Sequence, residues 1–194
     1  WLRLATGLLD VAVARFADGA GGYFDTADDA ERLVARPADR TDNATPSGTS
    51  ALAAALTSAA ALTGTVRYRE LAVAALGTVA PIAARHGRMT GYACATAEAL
   101  LAGPAEIVVA TMAGRDDPLV LAAWRRLPPG AVVVCGPPDA PGVPLLAARP
   151  VRGGGAAAYV CRGGVCDAPV TTVADLDRVL GNGRSGTDRG PDAA

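Results

Sequence analysis

The stretch GPAEIVVATMAGRDDPLVLAAWRRLPPGAVVVC, residues 103–135, is where the pattern of the chain changes. Residues 106–111 (EIVVAT) form a short apolar run rich in β-branched side chains, as expected of a buried strand. Asp117-Pro118 opens a helix that runs through Trp124 and Arg126, and residues 131–135 (AVVVC) read as a second strand. Together they make one β-α-β unit, most simply parallel and right-handed.

Upstream the periodicity is helical. Leu2, Leu9, Val13 and Phe16 fall near helical spacing and predict a first helix that Gly19 ends. A second helix is predicted from Pro46-Ser47, with Thr45 as cap and Pro46 in the first turn, ending at Gly64. A third spans about residues 66–85, with Pro81 bending it, and a short fourth covers residues 92–101. Between the first two lies GAGGYFDTADDAERLVARPADRTDNATPSG, residues 19–48, a connection of a length that usually carries function or lines a cavity. Downstream of the β-α-β unit, residues 157–161 read as a third strand and residues 172–180 as a last helix. The tail from Gly181 reads as disordered.

Composition narrows the classes. Of 194 residues, 51% are hydrophobic and 19% charged, which argues against wholesale disorder. The net charge of −1 and the 4% aromatic content give neither the basic field nor the stacking surface that nucleic acid requires. All 18 basic residues are arginine, which reads as the coding bias of a GC-rich bacterial genome. Residues 43–66 are uncharged, yet their apolar part is short of the roughly 20 residues a membrane span needs. The chain opens on a helical pattern rather than on a signal peptide, so a soluble, cytoplasmic protein is expected.

Several constellations are candidates for chemistry. Asp25, Asp28, Asp29 and Glu31 crowd one loop, and paired carboxylates divide acid and base roles in glycoside hydrolysis. The plainer expectation is a solvated loop, with Asp25 set apart because it follows two aromatics. Asp42, Thr45, Ser47 and Thr49 gather at the start of the second helix, where free N–H groups and the positive dipole end suit sugar hydroxyls or an anion. Simple capping accounts for the same residues equally well, and Ser47 lacks the G-x-S-x-G setting of a nucleophile. His86, the one histidine, stands at a helix end where a cation complements the dipole; no metal site and no cofactor is expected.

The last constellation is AYVCRGGVCDAPV, residues 158–170. A two-residue turn at Gly163-Gly164 pairs Arg162 with Val165 and sets Cys161 opposite Cys166, at a separation a disulfide can just span. Such a small loop gains only about 2 kcal/mol from closure. Free, packed thiols are the default in a reducing cytoplasm, and a zinc site lacks two further ligands.

Three segments, GGYFDTADD, DNATPSGTSALAA and AYVCRGGVCDAPVTT, resemble in this order the C-terminal part of the thioredoxin domain-containing YyaL-type family, relatives of the spermatogenesis-associated thioredoxin-domain proteins. The resemblance implies a mainly α chain: residues 1–103 as the last helical hairpins of an (α/α)6 barrel similar to six-hairpin glycosidases and N-acylglucosamine 2-epimerases, residues 104–180 as a small α/β portion, and residues 181–194 as the tail. It implies a fragment not active alone, whose partners are the missing barrel helices, a thioredoxin-like domain and a carbohydrate. Asp25 and Asp42 are then the catalytic candidates, Thr45, Ser47 and Thr49 the ligand-binding ones, and Cys161 and Cys166 a redox pair. Two departures stand out: Thr49 replaces the Asn usual after Ser-Gly, and the aromatic common between the two cysteines is absent. A non-catalytic binding or scaffold module, or a redox accessory to the thioredoxin-like domain, is the alternative.

Overall fold

A computed structural model describes residues 1–182, which divide into two units, Trp1–Pro104 and a second that begins at Ala105. Residues 183–194, most of the expected disordered tail, lie outside the described residues.

The first unit is helical: α1 (Leu2–Phe16), α2 (Gly48–Thr63), α3 (Val66–His86) and α4 (Gly91–Ala102), with a single 3-10 turn, Gly87–Met89, before α4. α2 presents Ala53 and Leu56, and α3 presents Ala72 and Ala75, all without exposed surface. Small side chains at these positions let the two backbones approach, and Leu9 and Val13 of α1 close the same core. α2 stops because Gly64 adopts φ 71°, a left-handed conformation that costs glycine little. Its cap is Ser47, not Thr45: the Ser47 Oγ accepts the Ser50 N–H at 3.1 Å, whereas Thr45 is exposed in the approach to the helix. α1 ends at Phe16, three residues before the predicted glycine stop, and the long connection begins there.

The second unit is built on a four-stranded sheet of order β2-β1-β3-β4, comprising β1 (Ala105–Ala110), β2 (Val132–Gly136), β3 (Ala157–Arg162) and β4 (Val165–Cys166). β2 runs parallel to β1, with α5 (Pro118–Arg125) between them in sequence, while β3 pairs antiparallel with β1 and β4 antiparallel with β3. Every residue of β1 is buried, as a strand covered on both faces must be. Ile107, Val109, Ala158 and Val160 share one face and pack with α5 and with Leu176 and Leu180 of α6 (Val173–Asn182). The opposite face carries Glu106, Val108, Tyr159 and Cys161. Leu146, from a 3-10 turn at Pro144–Leu146, covers Gly136 so closely that a Cβ there would lie 3.1 Å from its Cδ1.

The expectation of a mainly α barrel fragment is therefore corrected. Helix accounts for about 50% and strand for 13%, and the four-stranded mixed sheet makes this a small α/β fold. The physical reason is the core of the second unit: β1 is the fully buried centre of a sheet with its own helices, not an appendage to helical hairpins.

Asp117 joins strand to helix. Its Oδ1 accepts the Leu119 N–H at 2.9 Å, capping α5, and its Oδ2 accepts the Thr111 hydroxyl at 2.8 Å. Asp117→Ala is expected to lower stability by about 1–2 kcal/mol, measured as a shift of the urea midpoint.

Candidate functional site

The strongest arrangement of reactive groups lies on the β1-β3-β4 face of the sheet. Gly163 and Gly164 both hold positive φ, 57° and 83°, as a tight two-residue hairpin turn demands. That turn fixes the register, so Cys161 pairs with Cys166 and Arg162 with Val165. The two cysteines form a disulfide, with Cα atoms 3.9 Å apart. They differ sharply in access: Cys161 is 1% exposed, whereas Cys166 is exposed on the edge strand.

Two charged groups frame this bond, and neither stood out in the sequence. Arg149 arrives on the segment after Leu146 and is held by the Leu145 and Ala147 carbonyls, which accept from its Nη1 at 2.7 and 3.3 Å. Its Nη2 then reaches both sulfurs, 3.5 Å from Cys161 Sγ and 3.2 Å from Cys166 Sγ. Glu106 stands opposite Cys161 in the β1–β3 register and is 8% exposed. Burial pushes its carboxyl above the ordinary range, with Arg149 and the Gly164 and Gly163 amides pulling it partly back. A charged residue inside a buried strand run was the available signal for Glu106. Arg149 had none, because a loop rather than a periodic element delivers it.

The other predicted residues occupy different surroundings. Asp25 is exposed, and its Oδ2 accepts the Asp39 N–H at 3.0 Å. Asp28 and Asp29 face Arg15 from 3.2 and 3.5 Å on the surface, where ion pairs contribute little. Asp42 is buried and ties two helices: Oδ1 accepts the Ser47 N–H at 2.9 Å, and Oδ2 accepts the Ala93 N–H at 3.0 Å. Burial alone would raise its pKa, but those N–H groups, with Ser50 and Tyr92, bring it below the usual carboxylate range. Ser47 also donates to Ser50 Oγ, and the buried Thr49 hydroxyl donates to the Tyr23 carbonyl at 3.4 Å. Of this group Asp42, Ser47 and Thr49 thus have internal partners, and Thr45 is exposed.

Elsewhere, an open cavity of about 380 Å³ lies at the starts of α5 and α6, lined by Asp117, Arg152 and Gly153 among others. The Asp117 carboxylate there is already engaged by Thr111 and Leu119. Among the described residues no group of three or more His, Cys, Asp or Glu is placed to hold a metal, and no helix is long and apolar enough to cross a membrane. No protein-family model and no curated protein matches the chain.

Proposed function

We propose that the sheet unit is a thiol–disulfide exchange module whose working pair is Cys161 and Cys166. One observation carries this reading: a guanidinium lies against both sulfurs of a bond that has one buried and one exposed cysteine. A disulfide sulfur is a weak acceptor, whereas a thiolate is a full anion, so Arg149 is matched better to the opened pair.

The exchange follows from this asymmetry. A partner thiolate attacks the exposed Cys166 Sγ, the Cys161–Cys166 bond breaks, and Cys161 leaves with the bonding electron pair, facing Arg149. The partner's second thiolate then attacks its own bonded sulfur and releases Cys166. Two electrons pass from the partner dithiol to the pair, two protons end on the cysteines, and the partner becomes a disulfide. In a reducing cytoplasm the thiol pool opens such a pair, and its closure takes oxidising equivalents from a partner disulfide. The resemblance of AYVCRGGVCDAPVTT to the closing segment of YyaL-type proteins supports a thioredoxin-like domain as the dithiol partner. The expected carbohydrate cavity lined by Asp25 and Asp42 rested on a barrel, and the described fold offers no comparable support for it.

Equilibrating the full chain in graded glutathione buffers, then alkylating and counting thiols, tests the proposal. The pair is expected to open and re-close reversibly, and a pair that stays closed or open across the series overturns it. In the reduced protein, Arg149→Met is expected to cut the thiolate fraction at neutral pH about tenfold, read from the pH dependence of alkylation.

A further inference from the structure

We infer that Glu106 is the internal base that takes the proton from the Cys161 thiol when the pair closes, an inference that rests on the thiol–disulfide reading above. The problem it solves is access. Cys161 is 1% exposed, so its thiol has little water to receive the proton that must leave before the sulfur can attack. A thiol is inert until it is a thiolate.

Glu106 is placed for this by register rather than by chance of a loop. It stands directly opposite Cys161 across the β1–β3 ladder, and opposite residues of an antiparallel pair share a face with Cβ atoms about 5 Å apart. Cys166 continues the same row on β4. Around Glu106 the face carries Val108 on its own strand, Val132 opposite it on β2, and Tyr159 on β3. The Tyr159 hydroxyl is committed to the Pro150 carbonyl at 2.6 Å. The cation on this face is Arg149, from the segment after Leu146, and the Gly163 and Gly164 amides approach the carboxylate from the turn. Arg149 draws the carboxyl partly back down by its charge, while its N–H groups are directed to the sulfurs and to the carbonyls of Leu145 and Ala147. Burial raises the carboxyl, which brings it nearer to the thiol it would serve.

A partner sulfur is held on Cys166 as a mixed disulfide. The Cys161 S–H proton passes to a Glu106 carboxylate oxygen while Cys161 Sγ attacks Cys166 Sγ. The bond from Cys166 to the partner sulfur breaks, the partner leaves as a thiolate with the electron pair, and Glu106 later returns its proton to solvent. Opening is the reverse, with the protonated carboxyl supplying the proton to Cys161.

The test uses the full chain with Cys94→Ser and Cys135→Ser, which removes the free thiols. The reduced protein is mixed with dithiobis(nitrobenzoate). The first chromophore release reports a mixed disulfide at Cys166, and the second reports closure by Cys161. Glu106→Gln, which keeps size and hydrogen-bonding shape, is expected to slow the second release about 100-fold, the low end of general-base effects. Its pH profile should move up to that of an ordinary thiol, near about 8.5. Glu106→Asp should lie between, with the low-pH limb retained. A second release of unchanged rate and pH profile in Glu106→Gln overturns the role of Glu106 while leaving the exchange reading intact. A parent protein that gives the first release and never the second overturns the exchange reading itself. Should the Gln variant fail to fold, Glu106→Asp decides: a slower closure that keeps its inflection supports the role, and an unaltered closure overturns it.

Discussion

Alanine in place of Asp42 is expected to destabilise the helical unit by about 3 kcal/mol, a loss read as a lower urea midpoint at neutral pH. The carboxylate accepts N–H groups from two places far apart in sequence, Ser47 before α2 and Ala93 in the first turn of α4. Removing it leaves two buried donors without partners, at about 1–3 kcal/mol each, and strips a negative charge from two positive helix ends. Asp42→Asn keeps the shape but sets an amide N–H₂ against one of the donors, so an intermediate loss is expected. Acid should reproduce the effect. The pKa of Asp42 is held below its ordinary value, so the unfolded chain binds a proton where the folded form does not. Its contribution is complete above about pH 4, the unfolded value, and is lost as pH falls through the lower folded value. A midpoint in Asp42→Ala that keeps the full acid sensitivity of the parent would show that other carboxylates carry it.

Ile107→Ala is expected to cost the sheet unit about 3 kcal/mol. Ile107 has no exposed surface and sits on the central strand against α5 and α6. Truncation removes the transfer free energy of three carbons and leaves a cavity, because strands on both sides of β1 resist collapse. Leu121→Ala on α5 is the control: at 44% exposed, it should cost under about 1 kcal/mol. Equal losses for the two variants would mean that the burial described for β1 does not govern the stability of this unit.

The parts legible in the sequence were those whose signal is local. EIVVAT and AVVVC announce buried strands by composition alone, and β1 and β2 pair parallel across α5. Gly163-Gly164 announces a hairpin because few other pairs tolerate the backbone it needs, and the Cys161–Cys166 register follows by counting. What failed was the weighting of whole against part. Alanine-rich helices and a family resemblance pointed to helical hairpins, whereas sheet order depends on long-range pairing that no local pattern reports. Site residues divide the same way. Glu106 and Cys161 meet through a ladder 55 residues apart in number, and Arg149 through a loop, so neither neighbour of the disulfide had a spacing to be read.

β4 is only two residues long, and it forms one outer margin of the sheet. An exposed strand edge invites another chain to add to the ladder, and a long, flat one is a route to aggregation. Here a passing strand meets only the two residues of β4 and then a segment that returns to β3 through the Asp167 N–H to the Val160 carbonyl and a bridge between Val170 and Ala158, too broken a template to seed sheet-to-sheet growth. The residues proposed to meet a redox partner are thus also those that keep this margin of the sheet closed to the wrong ones.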